Sequence, residues 1–131
     1  MESRVLYYHV WFKTRRRKWL LLGDIANAAK IAIAEAAQRH AVRVLECETM
    51  VDHVHLLVEA ENATDLSRMM HVLKGASARY LLESIPDIRM DAGTNHFWQK
   101  RYGAKLVEPA AFANVRHYIR TQKERPAKYA R

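Results

Sequence analysis

Hydrophobic and polar residues alternate along the chain in two rhythms, one typical of strands and one typical of helices. Residues 6–13 (LYYHVWFK) are rich in aromatic and β-branched side chains and predict a first strand. Small apolar residues at helical spacing over 25–40 predict a helix, with Asp24 as its N-cap. Residues 41–50 and 53–59 then predict two strands that pair as a hairpin around a short turn at Val51 and Asp52.

The second half of the chain predicts a helix, an interrupted strand and a last helix. Apolar residues keep a 3.6-residue period from 66 to 81, after a cap at Thr64 or Asp65. Residues 96–107 are strand-like, and Gly103 interrupts them as in a hairpin or a bulged strand. Pro109 starts a helix that runs to the residue before Pro126. This order predicts an α+β fold: a ferredoxin-like or RRM-like split βαβ antiparallel sheet with helices on one face, plus a C-terminal helix.

The length and composition of the chain indicate the class of protein. A chain of 131 residues, half of them hydrophobic and 27% charged, suits a single domain over 1–131. No apolar stretch is long enough to span a membrane, and the N-terminus lacks the layout of a signal peptide. The single cysteine, Cys47, fits a reducing compartment. A cytoplasmic protein is therefore expected.

The charge of the chain points to a polyanionic partner. A net charge of +8 and a pI near 9.9 favour nucleic acid, the commonest polyanion of a cytoplasm. Four consecutive cations precede Trp19, so that phosphates can meet the cations while the indole stacks on an unpaired base. The alternative is a solvated basic turn. The predicted DNA contacts here are Arg15, Arg16, Arg17 and Lys18.

The second helix carries a further group of basic residues on its polar face. Gly75 lies among them, and a glycine inside a helix often marks a close approach by a backbone or a ligand. A phosphodiester would be such a ligand, and simple packing of the helix against the sheet is the alternative. The predicted DNA contacts on this face are Arg68, His71, Lys74 and Arg79.

The stretch DHVHLLV at 52–58 contains two histidines separated by one residue. Residues i and i+2 of a strand point to the same face, so the imidazoles of His53 and His55 would lie side by side. Such a pair makes half of a metal site, or a cluster that holds a phosphate when it is protonated. Two hydrogen-bonded structural histidines are the alternative.

The last helix supplies partners for this pair. Tyr118 and Gln122 are four residues apart and are predicted to stack on one face. A phenolate can attack phosphorus and form a covalent phosphotyrosine, although a free tyrosine has a pKa near 10 and needs activation. A divalent ion held by His53, His55 and the carbonyl oxygen of Gln122 would polarise the scissile phosphate and stabilise the leaving oxygen.

Several stretches of the sequence resemble the single-tyrosine HUH transposases, the TnpA type of the smallest bacterial and archaeal insertion sequences. They follow one another along the chain in the same order as in that family. DHVHLLV is similar to the HUH motif (His, hydrophobic, His), and YIRTQ at 118–122 fits the Tyr-x-x-x-Gln pattern of that family. The first strand with its basic turn, LKGASARYL at 73–81 and HFWQKRYG at 96–103 are similar to three further parts of the family's sequence. The resemblance covers nearly the whole chain.

The resemblance implies a function for each of these residues. His53 and His55 would be metal ligands, Gln122 the third ligand and Tyr118 the nucleophile, with Mg²⁺ or Mn²⁺ as the ion. By ligand softness alone, two imidazoles and an amide suit zinc or another transition metal better. The family also implies a homodimer whose two sheets join, in which the tyrosine helix of one subunit can complete the histidine site of the other. The implied substrate is single-stranded DNA with hairpin ends, with no membrane and no small-molecule substrate.

Two other functions remain open on the sequence. One is a host-domesticated relative that processes repetitive palindromic hairpins, although Gln122 in place of an asparagine favours the mobile-element enzyme. The other is a non-catalytic DNA or RNA hairpin-binding module of ferredoxin-like fold, in which Tyr118 only packs. Four other histidines are not expected to be metal ligands: His9, His71, His96 and His117. Of these, His9 and His117 are expected to pack or to face solvent.

Overall fold

A computed structural model describes residues 5–85, 87 and 96–124. Four strands form one antiparallel sheet in the order β2-β3-β1-β4: β1 (Leu6–Lys13), β2 (Val44–Met50), β3 (His53–Ala60) and β4 (Gly103–Val107). The helices in these residues are α1 (Gly23–Arg39), α2 (Ala63–Ser84) and α3 (Phe112–Arg120). The predicted α+β split βαβ fold is confirmed. None of the described helices combines the length and the apolar character needed to cross a membrane.

One face of the sheet packs against α1 and α2. The side chains of Val10, Phe12, Val54 and Leu56 on the two central strands are fully or almost fully buried there. The buried side of α1 consists mainly of alanines, and that of α2 consists mainly of leucine and methionine. Because side chains alternate along a strand, the residues between these four point to the opposite face.

That opposite face is covered by α3. Ile119 of α3 is fully buried in a second, smaller core with Leu57 of β3 and Val107 of β4. The rings of Tyr7 and Phe112 meet edge to face in the same core, with their centroids 4.8 Å apart. Among the described helices, α3 is therefore the one that packs on the face that carries His53 and His55.

The starts of α1 and β2 differ from the sequence prediction. α1 begins at Gly23 after Leu22, which gives no side-chain cap, and Asp24 lies inside the first turn. There its charge interacts favourably with the helix dipole, but it is not the N-cap. α1 ends where Ala41 takes a left-handed φ of 55° and the N–H of Val42 donates to the carbonyl of Ala37 at 2.8 Å. The strand predicted from residue 41 therefore begins only at Val44.

The cap of α2 was also predicted at the wrong residue. Asn62 is the N-cap, because its side-chain oxygen accepts the N–H of Asp65 at 2.8 Å. The carboxylate of Asp65 in turn accepts the N–H of Glu61 at 3.0 Å. This reciprocal arrangement resembles a capping box, and it leaves Thr64 within the first turn.

The last strand and the last helix are both shorter than predicted. Gly103 begins β4, and the segment before it touches the sheet through an isolated pairing of Trp98 with Thr14. Trp98 is buried and donates its indole N–H to Oγ of Ser77 at 2.9 Å. Pro109 starts a 3-10 turn, and the α-helix itself spans Phe112–Arg120.

Candidate active site

His53 and His55 project side by side from β3 onto the face that α3 covers. Their Nε2 atoms are 3.1 Å apart, and their ring planes meet at 76°. Two nitrogens bonded to one octahedral ion at about 2.1 Å each lie roughly 3 Å apart, so this separation suits a shared ion. The two imidazoles occupy one face of the strand, as their spacing predicts.

The Nδ1 atom of each histidine is held by a second group. His53 Nδ1 lies 2.7 Å from Oδ1 of Asp52, and His55 Nδ1 lies 2.9 Å from Nε2 of His9. Histidines that bind metals are usually held in this way, because a partner at one ring nitrogen turns the other towards the ion. The two Nε2 atoms are therefore the ones presented to a ligand.

Asp52 joins the histidine pair to the basic turn after β1. Its side chain is buried, and its Oδ2 accepts from Nε of Arg17 at 3.1 Å. Burial raises the pKa of this carboxyl, but hydrogen bonds from His53 and Arg17 outweigh burial and hold the pKa below its ordinary value. Asp52 is therefore ionised and accepts the Nδ1 proton of His53.

The basic turn is a short 3-10 segment, Arg15–Arg17, with an uncommon backbone. Arg16 and Arg17 have φ values of 58° and 53°, a left-handed conformation that residues other than glycine seldom adopt. The side chain of Arg16 is exposed, whereas Arg17 is bonded to Asp52. Contacts of Arg15, Arg16, Arg17 and Lys18 with DNA stay a prediction, and Arg17 has a second role in holding Asp52.

His55 and its partner His9 are both uncharged near neutral pH. Burial, together with the neighbouring His53 and His9, lowers the pKa of His55 to about 3. Burial and then the charge of Lys105 lower the pKa of His9. A neutral imidazole offers a lone pair, so His55 is suited to a cation and not to a phosphate.

α3 places Tyr118 over the histidine cluster of its own chain. The centroid of its ring lies 6.1 Å from that of His55 and 6.0 Å from that of His9. Ion pairs are formed by the arginines two residues before and two residues after this tyrosine on α3. Oε2 of Glu46 on β2 accepts from Nε of Arg116 at 2.6 Å and from Nε of Arg120 at 2.7 Å. The tyrosine helix is thus fixed to the sheet on both sides of Tyr118.

Gln122 lies just beyond α3, in the 3-10 turn Gln122–Glu124, and not in a continuous helix as predicted. Its side chain is fully buried, and its Nε2 donates to the carbonyl of Tyr118 at 3.3 Å. Its Oε1 has no hydrogen-bond partner in the described part of the chain, a property it shares with Oγ1 of Thr49. A buried acceptor left unpaired costs about 1–3 kcal/mol, so this oxygen is available for a ligand that would offset the cost.

The donor set fits a divalent ion. Among the described residues, no three His, Cys, Asp or Glu side chains come together around a metal position. A third protein ligand drawn from the described residues would therefore be a group of another kind, such as an amide. The buried Oε1 of Gln122, which has no hydrogen-bond partner among the described residues and lies one turn beyond Tyr118, is a candidate for that ligand.

The four α2 residues predicted to contact DNA differ in their surroundings. Arg68 is bonded to Asp65 at 3.0 Å, and His71 and Arg79 are exposed. The ammonium of Lys74 donates to three backbone carbonyls, at 2.6, 2.9 and 3.1 Å, and burial lowers its pKa. Because these bonds use all three of its N–H groups, Lys74 holds the segment before β4 against α2. Those carbonyls belong to Gln99, Lys100 and Arg101.

Gly75 faces an open cleft and not a close neighbour. A Cβ added there would meet no described atom outside the neighbouring helix backbone within 4 Å, so no described backbone approaches it closely, and a phosphodiester at this glycine stays a prediction. The cleft has a volume of about 420 Å³ and lies between α2 and residues 96–102, with His71 and Lys74 on its wall.

His9 is the member of the cluster that the sequence did not reveal. It was expected to pack or to face solvent, whereas it bonds to His55. In the register of β1 with β3, Trp11 pairs with His55 and His9 pairs with Leu57, so these four share the α3 face. The alternation within β1 places His9 on one face with Trp11, but only the strand pairing brings it to His55.

The fold and the histidine–tyrosine cluster agree with the family that sequence comparison identifies. The profile of the family described as "Transposase IS200 like" matches residues 2–122. The chain therefore belongs to the IS200-like transposases, which are DNA-processing enzymes.

Individual relatives agree with this assignment. The chain is 28% identical over 120 residues to the ISDra2 transposase TnpA of Deinococcus radiodurans, covering 92% of this chain and 86% of that protein. It is 29% identical over 117 residues to the transposase of insertion sequence element IS200 of Salmonella typhimurium, covering 89% and 76% of the two chains. A crystal structure of a candidate transposase from Deinococcus radiodurans superposes with a TM-score of 0.74 at 26% identity, over 92% of this chain and 93% of that one.

A more distant solved structure shares the fold. It is a REP-associated tyrosine transposase bound to a REP hairpin, with a TM-score of 0.67 at 15% identity. The match covers 98% of this chain and 70% of that one.

Proposed function

We propose that this transposase is a metal-dependent endonuclease and strand transferase of single-stranded DNA. It cleaves and rejoins hairpin-bearing transposon ends through a covalent 5′-phosphotyrosine. The observation that carries this proposal is the position of Tyr118, whose ring centroid lies 6.1 Å from that of His55, beside the paired Nε2 atoms of His53 and His55.

His53, His55 and Gln122 would hold the ion, Mg²⁺ or Mn²⁺, through two Nε2 atoms and one Oε1. When bound, such an ion supplies positive charge beside the scissile phosphate and its leaving oxygen. Three protein ligands leave room for phosphate oxygens and water, because these ions favour six ligands. The carboxylate of Asp52 would keep the proton of His53 on Nδ1, which would leave the Nε2 lone pair for the ion.

Tyr118 supplies the nucleophile. Its Oη loses its proton and attacks phosphorus, and the bond from phosphorus to the 3′ oxygen breaks. That oxygen takes up a proton and leaves as a 3′-hydroxyl, while the phosphate stays on Tyr118 as a phosphodiester. Rejoining reverses these bonds with the 3′-hydroxyl of another strand, so the energy of the cleaved bond is conserved and no water or nucleotide is consumed.

The surface of the chain suits a nucleic acid substrate. Its net charge of +8 and the exposed cations of the basic turn and of α2 favour phosphate contacts, which predicts binding that weakens steeply with salt. The distant relative solved with a REP hairpin shows that a protein of this fold binds such an element. We propose that the active form is a homodimer, as the resemblance implies, and light scattering at the concentrations used for activity tests this.

A covalent-adduct assay tests the proposed reaction. The protein is incubated with end-labelled single-stranded hairpin DNA and Mn²⁺, and the products are separated under denaturing conditions. The wild-type protein should give a protein–DNA adduct, and Tyr118→Phe should give none. His53→Ala should lose the adduct but keep hairpin binding, whereas His40→Ala, at an exposed histidine after α1, should behave as wild type. An adduct of equal yield with Tyr118→Phe would refute the proposal.

A further inference from the structure

We infer that His9 is a positioning residue of the metal site, which sets the ring nitrogen that His55 presents to the ion. This inference rests on the proposed function of the histidine pair. His9 lies outside the His-x-His motif of β3. It belongs to β1 and reaches His55 across the pairing of the two strands. Its Nε2 lies 2.9 Å from Nδ1 of His55, and the two ring planes are tilted by only 30°.

The ring of His9 is held in place from two sides. The indole of Trp11 lies 5.1 Å from it, centroid to centroid, on the same strand, and the ring of Tyr118 lies 6.0 Å away on α3. The bond to His55 is therefore made by a ring with fixed orientation. A substitution that keeps the ring shape but removes the nitrogens would keep this packing and lose only the hydrogen bond.

The two metal-binding histidines are backed by groups of different chemistry. The carboxylate of Asp52 lies 2.7 Å behind Nδ1 of His53 and acts there as a hydrogen-bond acceptor, so this contact fits the tautomer of His53 with its proton on Nδ1. His9, behind His55, can either donate or accept at the same Nε2 atom, depending on its tautomer.

The short contact between Nε2 of His53 and Nε2 of His55 requires a partner behind His55 that can both donate and accept a hydrogen bond. Two lone pairs facing each other at 3.1 Å repel, so a proton lies between these atoms whenever no cation does. Because Asp52 keeps the proton of His53 on Nδ1, that proton belongs to Nε2 of His55, and His9 then donates to Nδ1 of His55. With a cation bound by both Nε2 atoms, the proton of His55 would be on its Nδ1, His9 would accept it at Nε2, and His9 would carry its own proton on Nδ1. His9 therefore changes from donor to acceptor without any net gain or loss of protons.

Binding of Mn²⁺ alone, measured by calorimetry without DNA, tests this role separately from activity. Loss of a group that orients a ligand weakens metal binding by about 10–100-fold, and this is the loss expected for His9→Phe. His9→Gln should bind more tightly than His9→Phe, because its amide can turn to offer either an oxygen or an N–H. His40→Phe, the same substitution at an exposed histidine, should bind as wild type, and thermal unfolding in EDTA shows that each variant is folded.

The outcomes separate this inference from the proposed function. If His53→Ala loses Mn²⁺ binding while folded His9→Phe binds within twofold of wild type, His9 has no positioning role. If His53→Ala itself binds as wild type, the metal site is wrong and the role of His9 is wrong with it. Nitrogen-15 NMR of the wild-type protein with a diamagnetic divalent ion gives the tautomers directly, whichever variants fold. The protons should be on Nδ1 of both His9 and His55, and a proton on Nε2 of His9 would overturn the inference.

Discussion

The phenol ring of Tyr118 lies over the imidazole of His55 in the same chain, with their centroids 6.1 Å apart and their planes at 86°. The tyrosine comes from α3 and the histidine from β3, so the contact depends on how α3 is fixed to the sheet. Buried Ile119 and the carboxylate of Glu46 fix it.

Replacement of Gln122 by methionine should separate metal binding from stability. Gln122→Met keeps a similar volume but removes Oε1, the buried acceptor without a described partner. Mn²⁺ binding should weaken, whereas the free energy of unfolding in EDTA should stay equal or rise by up to about 1–3 kcal/mol, as measured by urea denaturation. Thr49→Val removes the other such acceptor and should leave Mn²⁺ binding unchanged. Wild-type affinity in Gln122→Met would exclude Gln122 from the ligand set.

Neutralising Glu46 should loosen the tyrosine helix. Glu46→Gln weakens the bonds to both Arg116 and Arg120, and hydrogen exchange of the backbone amides over 112–120 should become several-fold faster. The overall stability should change by less than about 1 kcal/mol, because both arginines are partly exposed. Glu59→Gln removes a comparable pair with Arg43 and serves as the control. Equal exchange of α3 in the two variants would show that Glu46 does not fix the helix.

Two glycines should respond to alanine in opposite directions. A Cβ on Gly103 would overlap the indole of Trp11, which lies directly on the glycine backbone beside His9. Gly103→Ala should therefore lower the free energy of unfolding by about 1–3 kcal/mol. Gly75→Ala, inside α2 and facing open space, should raise it by up to about 1 kcal/mol. Thermal or urea unfolding measures both, and a stable Gly103→Ala would mean that Trp11 is not held against this strand.

The buried, neutral His55 should make the metal-free protein sensitive to mild acid. The folded protein protonates His55 only near pH 3, whereas the unfolded chain does so near the ordinary pKa of 6.5. The unfolded state therefore binds more protons between these values, and the free energy of unfolding should fall as the pH drops below about 6.5. Urea denaturation in EDTA from pH 7.5 to 4.5 should show a smaller fall for His55→Gln. Identical pH profiles for the two proteins would contradict the low pKa of His55.

Local rules predicted the centre of the site but not its surroundings. The alternation of a strand suffices to place His53 and His55 together, and a spacing of four residues suffices to bring Gln122 near Tyr118 even though α3 ends at Arg120. His9 could not be predicted in this way, because its partner depends on the register of two strands 46 positions apart in sequence.

The contacts of Lys74 likewise depend on a distant part of the chain. The carbonyls that bind Lys74 lie 25 to 27 residues further along the chain, so no local pattern indicates them. The cap at Asn62 is different, because an Asn followed three residues later by Asp65 is itself a local signal. The sequence therefore contains the signal for a cap at Asn62, although Thr64 and Asp65 beside it are also common N-cap residues.

Identification of the residue that becomes linked to DNA tests the central claim most directly. The protein is incubated with single-stranded hairpin DNA and Mn²⁺, treated with nuclease and trypsin, and its peptides are examined by mass spectrometry. A nucleotide remnant is predicted on Tyr118, in the tryptic peptide HYIR at 117–120. A remnant on another tyrosine such as Tyr7 or Tyr102, or cleaved DNA with no modified peptide, would contradict the assignment of Tyr118 as the nucleophile.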